Sequence, residues 1–183
     1  MPVILHKFRD HGVNANTETL MLGTFNPDIP TGPDFFYGRL RNFLWHLLPQ
    51  CFGLPSLKNE SLASKQQFMA IYKIDFADII HSLDVPEGTE GNVDDDFIDG
   101  HVSEWKDIIG LIDSLPNLKA IYFTRKTFNG IPNMRTQVTL IANHCYQRSI
   151  RFCKLETPAR FYNETKQQQW IDTIVAQTTC LRP

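Results

Sequence analysis

Apolar positions along the chain fall into short runs separated by polar, proline-rich and glycine-rich stretches, and their spacing predicts strands and helices in turn. Leu20-Met21-Leu22 is a buried-strand run that stops at Gly23, with Thr24, Asn26, Pro27 and Asp28 directly behind it. Ala120 to Thr124 is nearly all apolar and rich in β-formers, the pattern of a central parallel strand covered on both faces. A last strand is expected over 150–155, while Ile74 to Ile80 alternates so briefly that it reads either as a short strand or as an extended connector. Helical spacing predicts a helix over 43–48, ended by Pro49 and Gly53, and a second through Phe68, Met69, Ile71 and Tyr72 with Ser61 or Ser64 as its cap. Further helices are expected through Trp105, Ile108, Ile109 and Ile112 with Ser103 as the cap, over 134–142 or a little beyond, and over 167–176. Strands alternating with helices define the α/β class: a three-layer α/β/α sandwich around a mostly parallel four-stranded sheet.

Composition narrows the setting. With 183 residues, 42% hydrophobic and 21% charged, the chain suits one globular domain over 1–183. No apolar run approaches the ~20 residues of a membrane span, and the N-terminus lacks the features of a secretory signal. A cytoplasmic, intracellular protein without a membrane partner is therefore expected. The net charge of -2 makes the whole molecule no magnet for nucleic acid, so any DNA reading rests on a local basic patch. Arg39, Arg41, Arg125, Lys126, Arg160 and Lys166 are the candidates, against the plain alternative of ordinary solvated charges.

Two further clusters invite chemistry and are better explained without it. Cys51, Cys145, Cys153 and Cys180 contain no C-x-x-C pair, so an iron–sulfur cluster is disfavoured and reduced, structural thiols are the default. Asp94-Asp95-Asp96 lacks the interleaved spacing of a calcium loop and reads as the start of a helix.

The stretch from Glu18 to Trp45 is different. In an open α/β sheet, ligands bind in the crevice beyond the strand ends, and this strand delivers a loop rich in Asn, Pro, Gly and aromatic residues. Asp34-Phe35-Phe36-Tyr37-Gly38 follows, then Asn42 and Trp45 on one face of a beginning helix. Taken singly, a Gly-x-x-Asn-Pro is often only a turn, and neighbouring aromatics are more often core than platform.

In order and spacing these segments resemble the uracil-DNA glycosylase superfamily, especially its mismatch-specific and hypoxanthine-acting branches. Gly23-Thr24-Phe25-Asn26-Pro27 is similar to the Gly-x-(Asn or Asp)-Pro motif that ends the first strand, with one residue more between Gly and Asn. Tyr37 to Trp45 is similar to the aromatic segment leading to Asn-x-x-Trp, with Arg39-Leu40 where a His-Pro is common. Thr157-Pro158-Ala159 fits a looser form of the final minor-groove loop. Asn92 and Asp94 match positions that help to shape the lesion pocket.

The resemblance implies a monofunctional DNA glycosylase acting on DNA with a deaminated or mismatched base, as a monomer, nucleoid-associated if bacterial, and without metal or cofactor. Such an enzyme draws the nucleotide out of the stack into a pocket. Tyr37 and Phe36 would stack on the base, and Gly23, Thr24, Phe25 and Thr157 would surround it. Asn26 would position the attacking water, with Asn42 in reserve. Pro158, Ala159, Arg160, Phe161 and Lys126 would meet DNA, Arg160 and Phe161 filling the gap left by the flipped nucleotide. For Phe161, a core position beneath the last helix is the equal alternative. Neither Asn is a general base, so water activation would be weak. A non-catalytic nucleic-acid or nucleotide binder that kept the pocket is the rival from another class, and hydrolysis of free nucleosides is a third.

Overall fold

The computed structural model describes residues 2–175. Four strands, β2 (Thr19–Gly23), β3 (Ile74–Asp78), β6 (Ala120–Phe123) and β7 (Arg151–Lys154), form a parallel sheet in the order β3-β2-β6-β7. The apolar runs of β2 and β6 take the two central places, covered on both faces, and Leu20, Met21, Leu22, Ile121 and Phe123 are all fully buried. One face is covered by α1 (Leu44–Cys51), α2 (Leu62–Tyr72) and α6 (Glu164–Ile174), which bring Trp45, Phe68 and Trp170 onto Met21, Phe76 and Tyr122. The other carries α4 (Ile108–Asp113) and α5 (Pro132–Gln147), packed on Leu20, Leu22, Ile121 and Phe123. The three-layer α/β/α expectation thus holds.

A second, antiparallel sheet was not legible in advance: β1 (Val3–Leu5), β4 (Ile80–Asp84) and β5 (Val102–Trp105), in the order β1-β4-β5. The segment expected to begin a helix at Ser103 is instead β5, with Ser103 Oγ 3.0 Å from Ser82 Oγ on β4. The helix behind it starts later, where Asp107 accepts the N–H of Gly110. The run from Ile74 to Ile80 resolves as two strands meeting at Ile79.

Pro49 does not end α1 but lies inside it. A proline has no N–H for the carbonyl four residues back, and the Trp45 oxygen so released accepts the N–H of Leu57 at 2.8 Å. At α2, Ser61 caps as expected, accepting from Ser64 N–H. The last helix begins earlier than its apolar face suggests because Asn163 accepts the N–H of Lys166. Ala176 at its expected end, and Cys180, lie outside the described residues. Burial pushes the thiols of Cys51 and Cys145 up to about 12, which fits inert structural roles. Cys153 departs from the expectation of reduced thiols, being disulfide-bonded.

The acidic run begins a helix, α3 (Asp95–Gly100), with Asp94 at its N-cap position. Its buried Asp99 serves the next helix: the carboxylate accepts the N–H groups of Asn133 at 3.1 Å and Met134 at 2.6 Å, in the first turn of α5, which has no side-chain cap of its own. Asp99→Ala is expected to lower unfolding free energy by about 1–3 kcal/mol, measured as a shifted urea midpoint at unchanged slope.

Candidate active site

Register brings the site together. Gly23 pairs with Asp78 across β2 and β3, Leu22 pairs with Phe123 across β2 and β6, and Thr124 donates its N–H to the Leu22 oxygen at 3.0 Å. Gly23, Asp78 and Thr124 therefore stand level at the carboxyl ends of three adjacent strands, the usual ligand position in an open α/β sheet.

Asp78 is the centre. It is 2% exposed, and its Oδ2 accepts from His6 Nε2 at 2.7 Å and from Asn26 Nδ2 at 2.6 Å. The His6 tautomer follows from its other nitrogen: Nδ1 accepts the N–H of Phe8 at 3.0 Å, so the proton sits on Nε2 and points at Asp78. Asn26 is fixed likewise. With Nδ2 committed to the carboxylate, its Oδ1 makes no hydrogen bond among the described residues. The extra residue of this loop, Phe25, does not turn Asn26 away; it is buried and meets the His6 ring edge-on at 5.6 Å. The half-buried Lys106 faces the same acids: burial draws its ammonium down, while Asp78 and Asp75 act in the opposite sense.

Gly23 is required by a close approach. A Cβ there would lie 2.2 Å from Asp78 Oδ1 and 2.6 Å from the Tyr37 hydroxyl. The space against the Gly23 backbone is thus filled by a carboxylate and a phenol. Tyr37 holds a left-handed backbone (φ 57), and its hydroxyl lies 3.0 Å from Thr124 Oγ1. Burial raises the phenol far above its usual range, and the Asp78 charge adds to this, so Tyr37 stays a hydrogen-bond donor.

The remaining candidates separate into groups. Phe36 is fully buried against Phe8, His11 and Phe76, so it is core and offers no face to a base, unlike the stacking role expected for it. Thr24 is partly buried, and its oxygen accepts the N–H of Ile80. Asn42 stands one residue before the N-cap of α1, its Oδ1 accepting the N–H of Leu44 at 3.0 Å, and is bridged to Ala159. Around that bridge, Phe43 N–H donates to the Pro158 oxygen and Arg160 N–H to the Arg41 oxygen, so the first and final loops form one edge. Thr157 Oγ1 accepts from Ala159 N–H, and Lys126 reaches Glu156 at 3.8 Å beside it. Phe161 is 56% exposed rather than core.

Besides Lys126, two more of the expected basic residues are otherwise engaged. Lys166 is 3% exposed, donating to the Phe161 oxygen at 2.8 Å and the Ala159 oxygen at 3.4 Å, and Arg125 is paired with Asp95. Asn92 is exposed and bonds locally to the N–H of Asp94. Sequence reasoning missed Asp78, His6 and Thr124. The signal was present for Asp78, an acid closing a strand-like run beside a glycine-ended strand. Among the described residues there is no group of three or more metal-ligating side chains. Two cavities, of about 370 and 560 Å³, are lined around Asp99 and Asn133 and around Asn14 and Asp75; neither includes Asn26, Tyr37 or Pro158.

No protein-family model matches the chain, and no curated protein does. Among solved structures, the fold is similar to that of a "putative Uracil DNA glycosylase" from Methanosarcina acetivorans, determined in solution by NMR, with a TM-score of 0.58 and 18% identity over 87% of this chain and 89% of that one. At that identity the likeness is one of fold: helices flanking a four-stranded parallel sheet whose central strand ends at Gly23.

Proposed function

We propose that the protein is a monofunctional DNA glycosylase, a single domain over 1–183, that hydrolyses the N-glycosidic bond of an extruded deaminated or mismatched base: uracil, mispaired thymine or hypoxanthine. The observation that carries this reading is the Asp78 carboxylate, buried at the strand ends and bonded to Asn26 beside the close approach at Gly23. A buried acid with a fixed amide next to it supplies what the two asparagines lack, a group able to take a proton from water. In the step, the water oxygen bonds to C1′ as the C1′–N bond breaks. The bond's electrons leave on the base, and the water proton passes to Asp78. Negative charge on the leaving base is met by neutral donors, the Tyr37 and Thr157 hydroxyls and backbone N–H groups near Gly23. The motifs resemble those of the mismatch-specific and hypoxanthine-acting branches, and Arg41, Lys126 and Arg160 would meet phosphates.

One observation weighs against base cleavage at this site and leaves a nucleic-acid binder without catalysis as the second reading: Asp78 and Tyr37 fill the space against Gly23, where a base would have to lie. Duplexes holding uracil, a thymine mismatch or hypoxanthine, incubated with the protein and then treated with alkali, separate the two. Strand breaks at the altered base support the glycosylase; retention of the DNA without breaks supports the binder.

Within the glycosylase reading, Asp78→Asn is expected to slow base release by about a hundredfold or more, and Asn26→Ala to slow it as well, with circular dichroism unchanged. Full activity in both variants would remove the assigned roles. Gly23→Ala must displace Asp78 or Tyr37 from a 2.2 or 2.6 Å encounter, and is expected to lower both Tm and the release rate; a variant matching the parent in both would show that the close approach is dispensable.

A further inference from the structure

The cavity of about 560 Å³ lies at the amino ends of β2 and β3, the opposite end of the strands from Gly23 and Asp78. Its size falls within the range of small-molecule sites. One wall is apolar, with Met69 and Ala70 from α2 and Ile74 from β3; the other is the loop 14–18. That loop is shaped before any ligand arrives. Thr17 N–H donates to the Asn14 oxygen at 2.9 Å, Asn16 N–H to Asn14 Oδ1 at 2.8 Å, and Asn14 N–H to Asp75 Oδ2 at 2.9 Å. A loop already held in place adds little ordering cost to binding.

Two buried polar side chains of the cavity have hydrogen-bonding capacity left over. Thr17 is 2% exposed, and its hydroxyl has no partner among the described residues. Asp75 is 4% exposed; its Oδ1 is taken by His11 Nε2 and the Phe76 N–H, but Oδ2 accepts only the Asn14 N–H and keeps a lone pair. Buried polar groups normally find partners. An unpaired hydroxyl and a carboxylate lone pair in one cavity suit a ligand that brings an N–H or O–H donor.

The charges say which ligands fit. Glu18 accepts from Lys73 Nζ at 2.7 Å and from Lys119 Nζ at 2.6 Å, and the bonds from Lys119 and Lys73 hold its carboxyl down at about 2. Both ammonium groups are thereby engaged, which favours a neutral ligand over an anionic one. Asn14 Nδ2 and the Gln66 amide make no hydrogen bond among the described residues, so amide groups with unused donors remain at the wall. Side-chain amides pair well with the edges of nucleobases, and a thioether such as that of Met69 packs well on an aromatic ring.

We propose that this cavity is a second ligand site, apart from the strand-end site, for a neutral heterocycle with an amide-like edge: a nucleobase or its nucleoside. A ligand N–H donates to Asp75 Oδ2, the Thr17 hydroxyl bonds the adjoining carbonyl, and the ring lies on Met69. Such a site needs no base cleavage.

The test titrates hypoxanthine, inosine, inosine monophosphate and ribose into the full, nitrogen-labelled chain and follows amide signals by NMR. Hypoxanthine and inosine are expected to shift the Thr17 and Asn14 backbone amides and the Gln66 side-chain amide in a saturable way. Thr17→Val is expected to weaken binding about tenfold at the parent Tm. Ala70→Trp, at an exposed position of α2, is expected to abolish binding by filling the cavity, and it decides the matter should Thr17→Val lower the Tm. Shifts confined to Gly23 and Asn26, no saturable shift at Thr17, unchanged binding in Ala70→Trp, ribose binding as well as inosine, or the monophosphate binding more tightly than inosine would each overturn the proposal. The two readings fail separately. A protein that binds inosine here and releases no base from DNA keeps this site and loses the glycosylase; one that releases base with no shift at Thr17 does the reverse.

Discussion

A single buried carboxylate organises this molecule. Taking Asp78 out of water is costly unless hydrogen bonds replace the lost hydration, and the two short contacts from His6 and Asn26 do so. They also tie together segments 72 and 52 residues apart. His6 is delivered by β1, which pairs with β4 instead of joining the main sheet, and the bridge from His6 to Pro27 continues that pairing into the Asn26 loop. The small antiparallel sheet is therefore a buttress for the site. It fixes the imidazole that faces the acid, and through Lys7 N–H and the Asn26 oxygen it fixes the loop that carries the amide.

What could be read in the sequence follows from what hydrophobic pattern encodes. β2 and β6 are apolar on both faces, so their runs declare them, and the turn chemistry after Gly23 declares a loop at the sheet edge. The rest escapes for definite reasons. Asp78 breaks the apolar pattern of β3 although all five residues of the strand are buried, because its partners come from remote parts of the chain. β1 is three residues long, too short for any period to show. Ser103 and Trp105 fit the start of a helical face, but pairing with β4 overrides that propensity. Phe36 and Tyr37 are neighbours of one character and opposite fates, one in the core and one with its hydroxyl at the strand ends; only the left-handed turn at Tyr37 decides which is which.

The same turn decides what stands over Gly23. With its backbone left-handed and its hydroxyl on Thr124, Tyr37 lays a ring over Gly23, the ground a flat ligand would need. That arrangement rests on one hydrogen bond between neutral hydroxyls, on the Tyr37 ring packing against Phe76 at 5.8 Å and on a left-handed backbone, whereas the carboxylate beneath it takes two short hydrogen bonds from His6 and Asn26.

Asn26 acquires its meaning from this hierarchy. An amide free to rotate can present either its oxygen or its nitrogen to a water, and would orient nothing. Because Asp78 accepts one Nδ2 hydrogen at 2.6 Å, the amide is fixed in one orientation, and its Oδ1, which can only accept, is turned away from the carboxylate. In the glycosylase reading proposed above, a water held there would donate one proton to Asn26 and keep its second proton for a neighbouring acceptor. Asp78 Oδ1, a lone-pair oxygen 2.2 Å from where a Gly23 Cβ would stand, is such an acceptor. In that reading the asparagine would work through the aspartate, an acid that the loop motif does not contain.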